Sequence, residues 1–161
     1  MCPMNRNPWT TAMRSARLLL LLVMLVLGSY ATINGAASAS SATEETAMWM
    51  TVGEQRFAIT LTDSAAAQAL AGLLPLALEM SDLNRNEKYA TLPQPLPAKA
   101  SRPGTIRNGD LMLYGKDTLV VFYKDFDSTY AYTRLGHIND ASGLAQALGP
   151  ESVKVTFTHD R

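Results

Sequence analysis

Short alternating segments, each closed by a turn signal, succeed one another along the chain from residue 48 to residue 158. That rhythm points to β-structure, because successive side chains of a strand face opposite sides and a half-buried strand therefore alternates polar and apolar residues. Residues 48–52 read as a strand, Gly53-Glu54-Gln55 as a hairpin turn and 56–62 as a second, half-buried strand. Asp63 or Ser64 offers a side-chain oxygen to the free N–H groups of a helix over 65–74, which Pro75 ends. Residues 76–80 read as a third strand. Residues 82–103, with Pro93, Pro95, Pro97 and Pro103, read as a long irregular stretch, and a loop of that length in a compact domain points to function or flexibility. Residues 109–114 and 118–123 flank Gly115-Lys116-Asp117, a hairpin signal. Residues 130–138 alternate again, Asn139 or Asp140 caps a helix over 142–148, Gly149-Pro150 stops it, and 153–158 form a last strand. Seven or eight short strands with two short helices predict a mainly β fold: a closed or nearly closed antiparallel barrel of about eight strands, capped by the helices.

The segment before this domain has a different character. Arg14 and Arg17 precede an unbroken apolar run over 18–27, and Ala37-Ser38-Ala39 follows with the small-x-small form that a signal peptidase accepts. The run is about half the roughly 20 apolar residues that a spanning helix needs. The expectation is a cleaved signal over residues 1–39, with Met13 as an alternative start, a short tether over 40–47 and a domain over 48–161. The domain would be periplasmic or secreted, with no stable membrane insertion after cleavage. Cys2, the only cysteine, precedes the apolar run and would be lost with it. Three of the fourteen basic residues, Arg6, Arg14 and Arg17, and none of the fourteen acidic ones lie in the signal. Eleven basic against fourteen acidic residues remain, a net charge of −3, which argues against nucleic acid as a partner.

The chemistry-bearing residues are few. Only two histidines, His137 and His159, are present, they stand far apart, and no cysteine accompanies them in the domain, so neither a metal site nor a cofactor is expected. Asp125 and Asp127 flank Phe126 and read as a solvated turn. Tyr123, Tyr130, Tyr132 and Arg134 form the densest region. On one strand Tyr130, Tyr132 and Arg134 share a face, where two amphipathic rings and a planar guanidinium can wall a ligand or, alternatively, form a cross-strand ladder that covers the barrel. Asn86-Glu87-Lys88, in the long loop, places charge beside an aromatic residue, Tyr89. Glu87, Lys88, Tyr123, Tyr130, Tyr132 and Arg134 are therefore the candidate ligand-binding residues.

Several of these segments carry a resemblance. In order and spacing, Leu73-Leu74-Pro75, Asn86-Glu87-Lys88, Leu92-Pro93, the run from Gly109 to Tyr114, Phe122-Tyr123 and the run from Ser128 to Gly136 resemble the bacterial cyclophilin-like fold proteins, most of which have no assigned activity. The resemblance implies a cyclophilin-type barrel of about eight strands closed by helices. Cyclophilins proper are peptidyl-prolyl isomerases, whose Arg-x-x-Pro-Gly-Phe stretch runs into Gln-Gly-Gly-Asp. The matching stretch here begins Arg102-Pro103-Gly104, with Thr105 where the pocket Phe would stand and Asn108 near the Gln position. Tyr132 occupies the His position and Asp127 lies near the Trp position, while Val121-Phe122-Tyr123 retains the aromatic strand. An isomerase must lower a barrier of about 20 kcal/mol, and misplacing a catalytic group by about 1 Å costs ~100-fold. Three readings follow from the sequence. The first is an exported, non-catalytic barrel that binds a small molecule or short peptide. The second is a weak prolyl isomerase using Arg102 or Arg107 with Phe122. The third is a structural or protein-interaction domain.

Overall fold

The computed structural model describes residues 47–159. The expected signal over 1–39, the alternative start at Met13 and all of the 40–47 tether but its last residue lie outside the described residues. Ten strands and two helices follow in the order β1 (Ala47–Val52), β2 (Gln55–Leu61), α1 (Ala65–Ala71), β3 (Leu76–Leu83), β4 (Glu87–Thr91), β5 (Gly104–Ile106), β6 (Asp110–Tyr114), β7 (Thr118–Phe122), β8 (Phe126–Ser128), β9 (Thr133–Ile138), α2 (Leu144–Leu148) and β10 (Val153–His159). Eight strands close a barrel in the order β1-β10-β3-β4-β7-β6-β9-β2, and every neighbouring pair is antiparallel. The two remaining strands, β5 and β8, pair as a separate ribbon. Among the described residues no helix is long and apolar enough to cross a membrane.

Period-two alternation sorts the side chains into two apolar layers. Met48 and Met50 of β1, Phe57 and Ile59 of β2, Leu111 and Leu113 of β6, Leu119 and Val121 of β7, and Val155 and Phe157 of β10 belong to one large core inside the barrel. Ala66, Ala67 and Leu70 of α1 and Leu144 and Leu148 of α2 join that core. The intervening residues Met112, Val120 and Phe122 belong to a second cluster with Ile106 and Tyr132, against which Phe126 packs. This second layer lies on the outer face of β6 and β7, beneath the ribbon of β5 and β8.

Three local differences from the sequence expectation matter for the site. The stretch expected to be irregular contains strand β4, and β3 runs on to Leu83 to meet it. Asn84 and Arg85 make the tight connection with φ of 53° and 55°, and Asp82 Oδ1 accepts the Arg85 N–H at 3.0 Å. Two successive positive-φ residues make the kind of turn that matches the twist of paired strands, usually signalled by glycine; no glycine marks it here. Strand β9 begins at Thr133, so Tyr130 and Tyr132 precede it, and Tyr132 forms only an isolated bridge with Ser101. Helix α1 stops at Ala71 with Gly72 as its C-cap, while Ser64 caps its start by accepting the Ala67 N–H at 3.2 Å, as expected.

Candidate ligand site

A cavity of about 570 Å³ lies on the outer face of β4, β7 and β6. Alternation along β4 turns Glu87, Tyr89 and Thr91 into it, and Thr118 and Val120 of β7 and Tyr114 of β6 continue its floor. The β3–β4 turn contributes Leu83, Asn84 and Asn86, and the segment from Phe126 to Tyr132 forms the facing wall. The wall is aromatic: Tyr114 meets Tyr130 edge-on at 6.3 Å between centroids and Tyr132 at 5.6 Å. Phe122, beneath, packs on Phe126 at 5.7 Å and edge-on against Tyr132 at 5.4 Å. Such tilted and edge-on pairs add to burial through ring quadrupoles.

Two polar groups on residues that line this cavity are unpaired. Glu87 is only 8% exposed, yet among the described residues no donor or cation bonds its carboxyl group. Burial, and secondarily the Asp82 charge, raises its pKa above the ordinary carboxylate value. Beside it, Asn86 Oδ1 is buried with no hydrogen-bond partner. Burial also raises the pKa of Tyr132, and the Glu87 charge raises it further, which places hydroxyl and carboxylate in one electrostatic neighbourhood.

Of the six candidate residues, the cavity brings together Glu87, Tyr130 and Tyr132. The other three lie elsewhere. Lys88 follows Glu87 on a strand and therefore faces the opposite way, into the barrel, where it is fully buried. Its Nζ lies 3.0 Å from Asp82 Oδ2 and donates to the Glu151 carbonyl at 2.5 Å. Tyr123 belongs to the interior core and donates its hydroxyl to the same Asp82 Oδ2 at 2.5 Å. Burial alone would raise the pKa of Asp82, but the hydrogen bonds from Tyr123, Lys88 and the Arg85 amide outweigh it and hold the carboxylate below its ordinary range. Arg134 pairs with Asp110 at 2.7 Å and does not line the cavity. Asn86, Tyr89, Tyr114 and Phe126 are lining residues that the sequence reading did not select. The signal for Tyr89 was the alternation Glu87-Tyr89-Thr91, hidden once the segment is read as a loop.

None of the isomerase alternatives lines the cavity. Arg102 is exposed and Arg107, 72% exposed in its side chain, reaches Asp125 at 3.6 Å; neither lines the cavity. Phe122 is fully buried in the outer cluster, and Thr105 is exposed on β5 and donates its hydroxyl to Asp127 Oδ1 at 2.8 Å. Among the described residues no group of three or more His, Cys, Asp or Glu side chains is placed to hold a metal ion.

The model of the cyclophilin-like family matches residues 50–158, nearly all of the barrel. The chain belongs to the cyclophilin-like family. Among solved structures, the solution structure of a hypothetical protein from Archaeoglobus fulgidus is similar, with a TM-score of 0.50 and 14% identity over 72% of this chain and 95% of that one. At that identity the likeness concerns the fold alone. No curated protein matches this cyclophilin-like chain.

Proposed function

We propose that this protein is exported and that its cyclophilin-like barrel binds a small molecule or short peptide without transforming it. The observation that carries the binding reading is the Glu87 carboxyl, without a partner on the wall of an aromatic cavity, next to Asn86, whose Oδ1 is buried and unpaired. A buried polar group without a partner is costly, and native proteins leave few of them. Groups of this kind, convergent in a concave and mostly apolar site, are what a ligand-binding cavity requires. That neither Arg102 nor Arg107 lines the cavity supports the non-catalytic reading over isomerase activity. The basic residues, apolar run and small-residue step within residues 1–39 support export.

The test is a screen of small molecules and short peptides against the purified protein, read by amide chemical shifts. Ligands should perturb residues 83–91 and 126–132, and Thr91→Trp, at an exposed lining position, should abolish those shifts while leaving the fold intact. Hits that perturb only residues outside the cavity would sink the assignment. A protease-coupled assay on a short proline peptide should show no acceleration over the uncatalysed rate.

A further inference from the structure

The groups that the cavity leaves unpaired are of one electrical kind. Glu87 offers a carboxylate, Asp127 and the tyrosine hydroxyls add further oxygens, and the faces of aromatic rings present negative quadrupole density. Asp127, on the opposite wall, adds a second carboxylate, of which Thr105 occupies one oxygen. No Lys, Arg or His lines the cavity. Of the basic residues next in sequence to its walls, Arg85 is exposed in the β3–β4 turn and does not line the cavity, and two others are engaged elsewhere. Lys88 is held inside the barrel by Asp82 and the Glu151 carbonyl, and Arg134 is held by Asp110 at 2.7 Å.

This distribution discriminates between ligand charges. An anion would meet two carboxylates and no counter-charge. A neutral ligand would leave the Glu87 charge desolvated and uncompensated, which is costly. An N–H-bearing cation answers that deficit: its protons make charge-assisted bonds to Glu87, and its charge lies against the aromatic faces. A volume of about 570 Å³ is far larger than a lone ammonium and falls in the range of sites for drug-sized ligands, so the cation must be carried on a larger body. The rings of Tyr114, Tyr130, Tyr132 and Phe126 fit an apolar or aromatic one.

We propose, resting on the reading of this cavity as a ligand site, that it selects a primary ammonium or guanidinium group on an apolar or aromatic body, with Glu87 as the anchor. A free amine and a basic side chain of a short peptide share this chemistry, and the test separates them. The purified protein is titrated with phenethylamine, 2-phenylethanol and phenylacetate, and with acetyl-Gly-Lys-Gly-amide beside its norleucine counterpart, each followed by amide shifts of the cavity residues.

The expected result is that at least one cationic probe binds 10- to 100-fold more tightly than its neutral isostere, by roughly the strength of a hydrogen-bonded charge contact. Phenylacetate should be the weakest of the aryl series. The tighter of the two cationic probes identifies the source. Glu87→Gln should erase the preference for the cation without weakening 2-phenylethanol. Tyr130→Leu, at an exposed position, should weaken the cation more than the neutral probe. Equal affinity for charged and neutral probes, or a preference that survives in Glu87→Gln, overturns the cation assignment while the ligand-site reading stands. Failure of all five probes to perturb the cavity overturns both.

Discussion

Glu87 and Asp82 lie close in sequence and are displaced in opposite directions by their surroundings, and the two displacements have opposite consequences for stability. The folded state raises the pKa of Glu87 by burial and by the Asp82 charge. Ionisation is therefore harder in the folded than in the unfolded chain, and Glu87 destabilises the fold as pH rises through the ordinary carboxylate range. Glu87→Gln should melt at a higher temperature than the parent protein at pH 7, and the gain should vanish below about pH 4, where both states hold a protonated Glu87. A thermal melt series from pH 3 to 8 reads this directly. Asp82 behaves oppositely: its lowered pKa contributes stability above the unfolded value, and that contribution is lost as pH falls through the folded one. Removing its charge leaves Lys88 buried and uncompensated, so Asp82→Asn should cost roughly 3–5 kcal/mol in denaturant unfolding. Replacing Lys88 by Met in the same chain should recover much of that loss. The sequence showed Glu87 and Lys88 as chemically equal neighbours. What separated them was strand periodicity, and that became visible only once the Asn84-Arg85 turn was known to bring β4 back along β3.

At the scale of elements, one irregularity in the barrel decides what the aromatic segment can do. Leu111 of β6 pairs with Gly136 of β9, but Met112 pairs with Arg134, so Leu135 is an extra residue in β9. The bulge reverses the alternation: Leu135 and Ile138 both reach the interior core, while Arg134 and Tyr132 fall on the outer face. Uninterrupted pairing would have turned Tyr132 inward and emptied the cavity wall. Beside the bulge Gly136 lies so close to β2 that an added Cβ would sit 2.4 Å from the Thr60 carbonyl oxygen. Gly136→Ala should therefore force β2 and β9 apart and cost roughly 1–3 kcal/mol. Amide exchange should accelerate first at Thr62, whose N–H bonds the Leu135 carbonyl at 2.8 Å. The strands of the barrel core were legible because their apolar residues recur at every second position. The bulge left no mark of its own, since Leu135-Gly136-His137 reads equally well as regular strand. The ribbon of β5 and β8 was hidden for another reason: three residues on each side are too few to establish a period.

The described domain is built on a ring of strands, and the ring is completed by the first and last of them: Met48 of β1 stands opposite His159 of β10. Closure leaves the barrel without a free edge for pairing with another chain, and among the described residues only the short ribbon of β5 and β8 keeps open edges. Closure also makes β10 indispensable, because β1 and β3 both depend on it. Truncation after Gly149 should therefore abolish cooperative unfolding, as followed by near-ultraviolet circular dichroism. A chain that leaves a ribosome or a membrane pore amino end first carries β1 into view long before its partner. For that interval β1 can pair only with β2, and the methionines at 48 and 50 stay without the lid that Phe157 provides. Closure therefore waits on β10: the barrel can shut only once that strand is available to bridge β1 and β3.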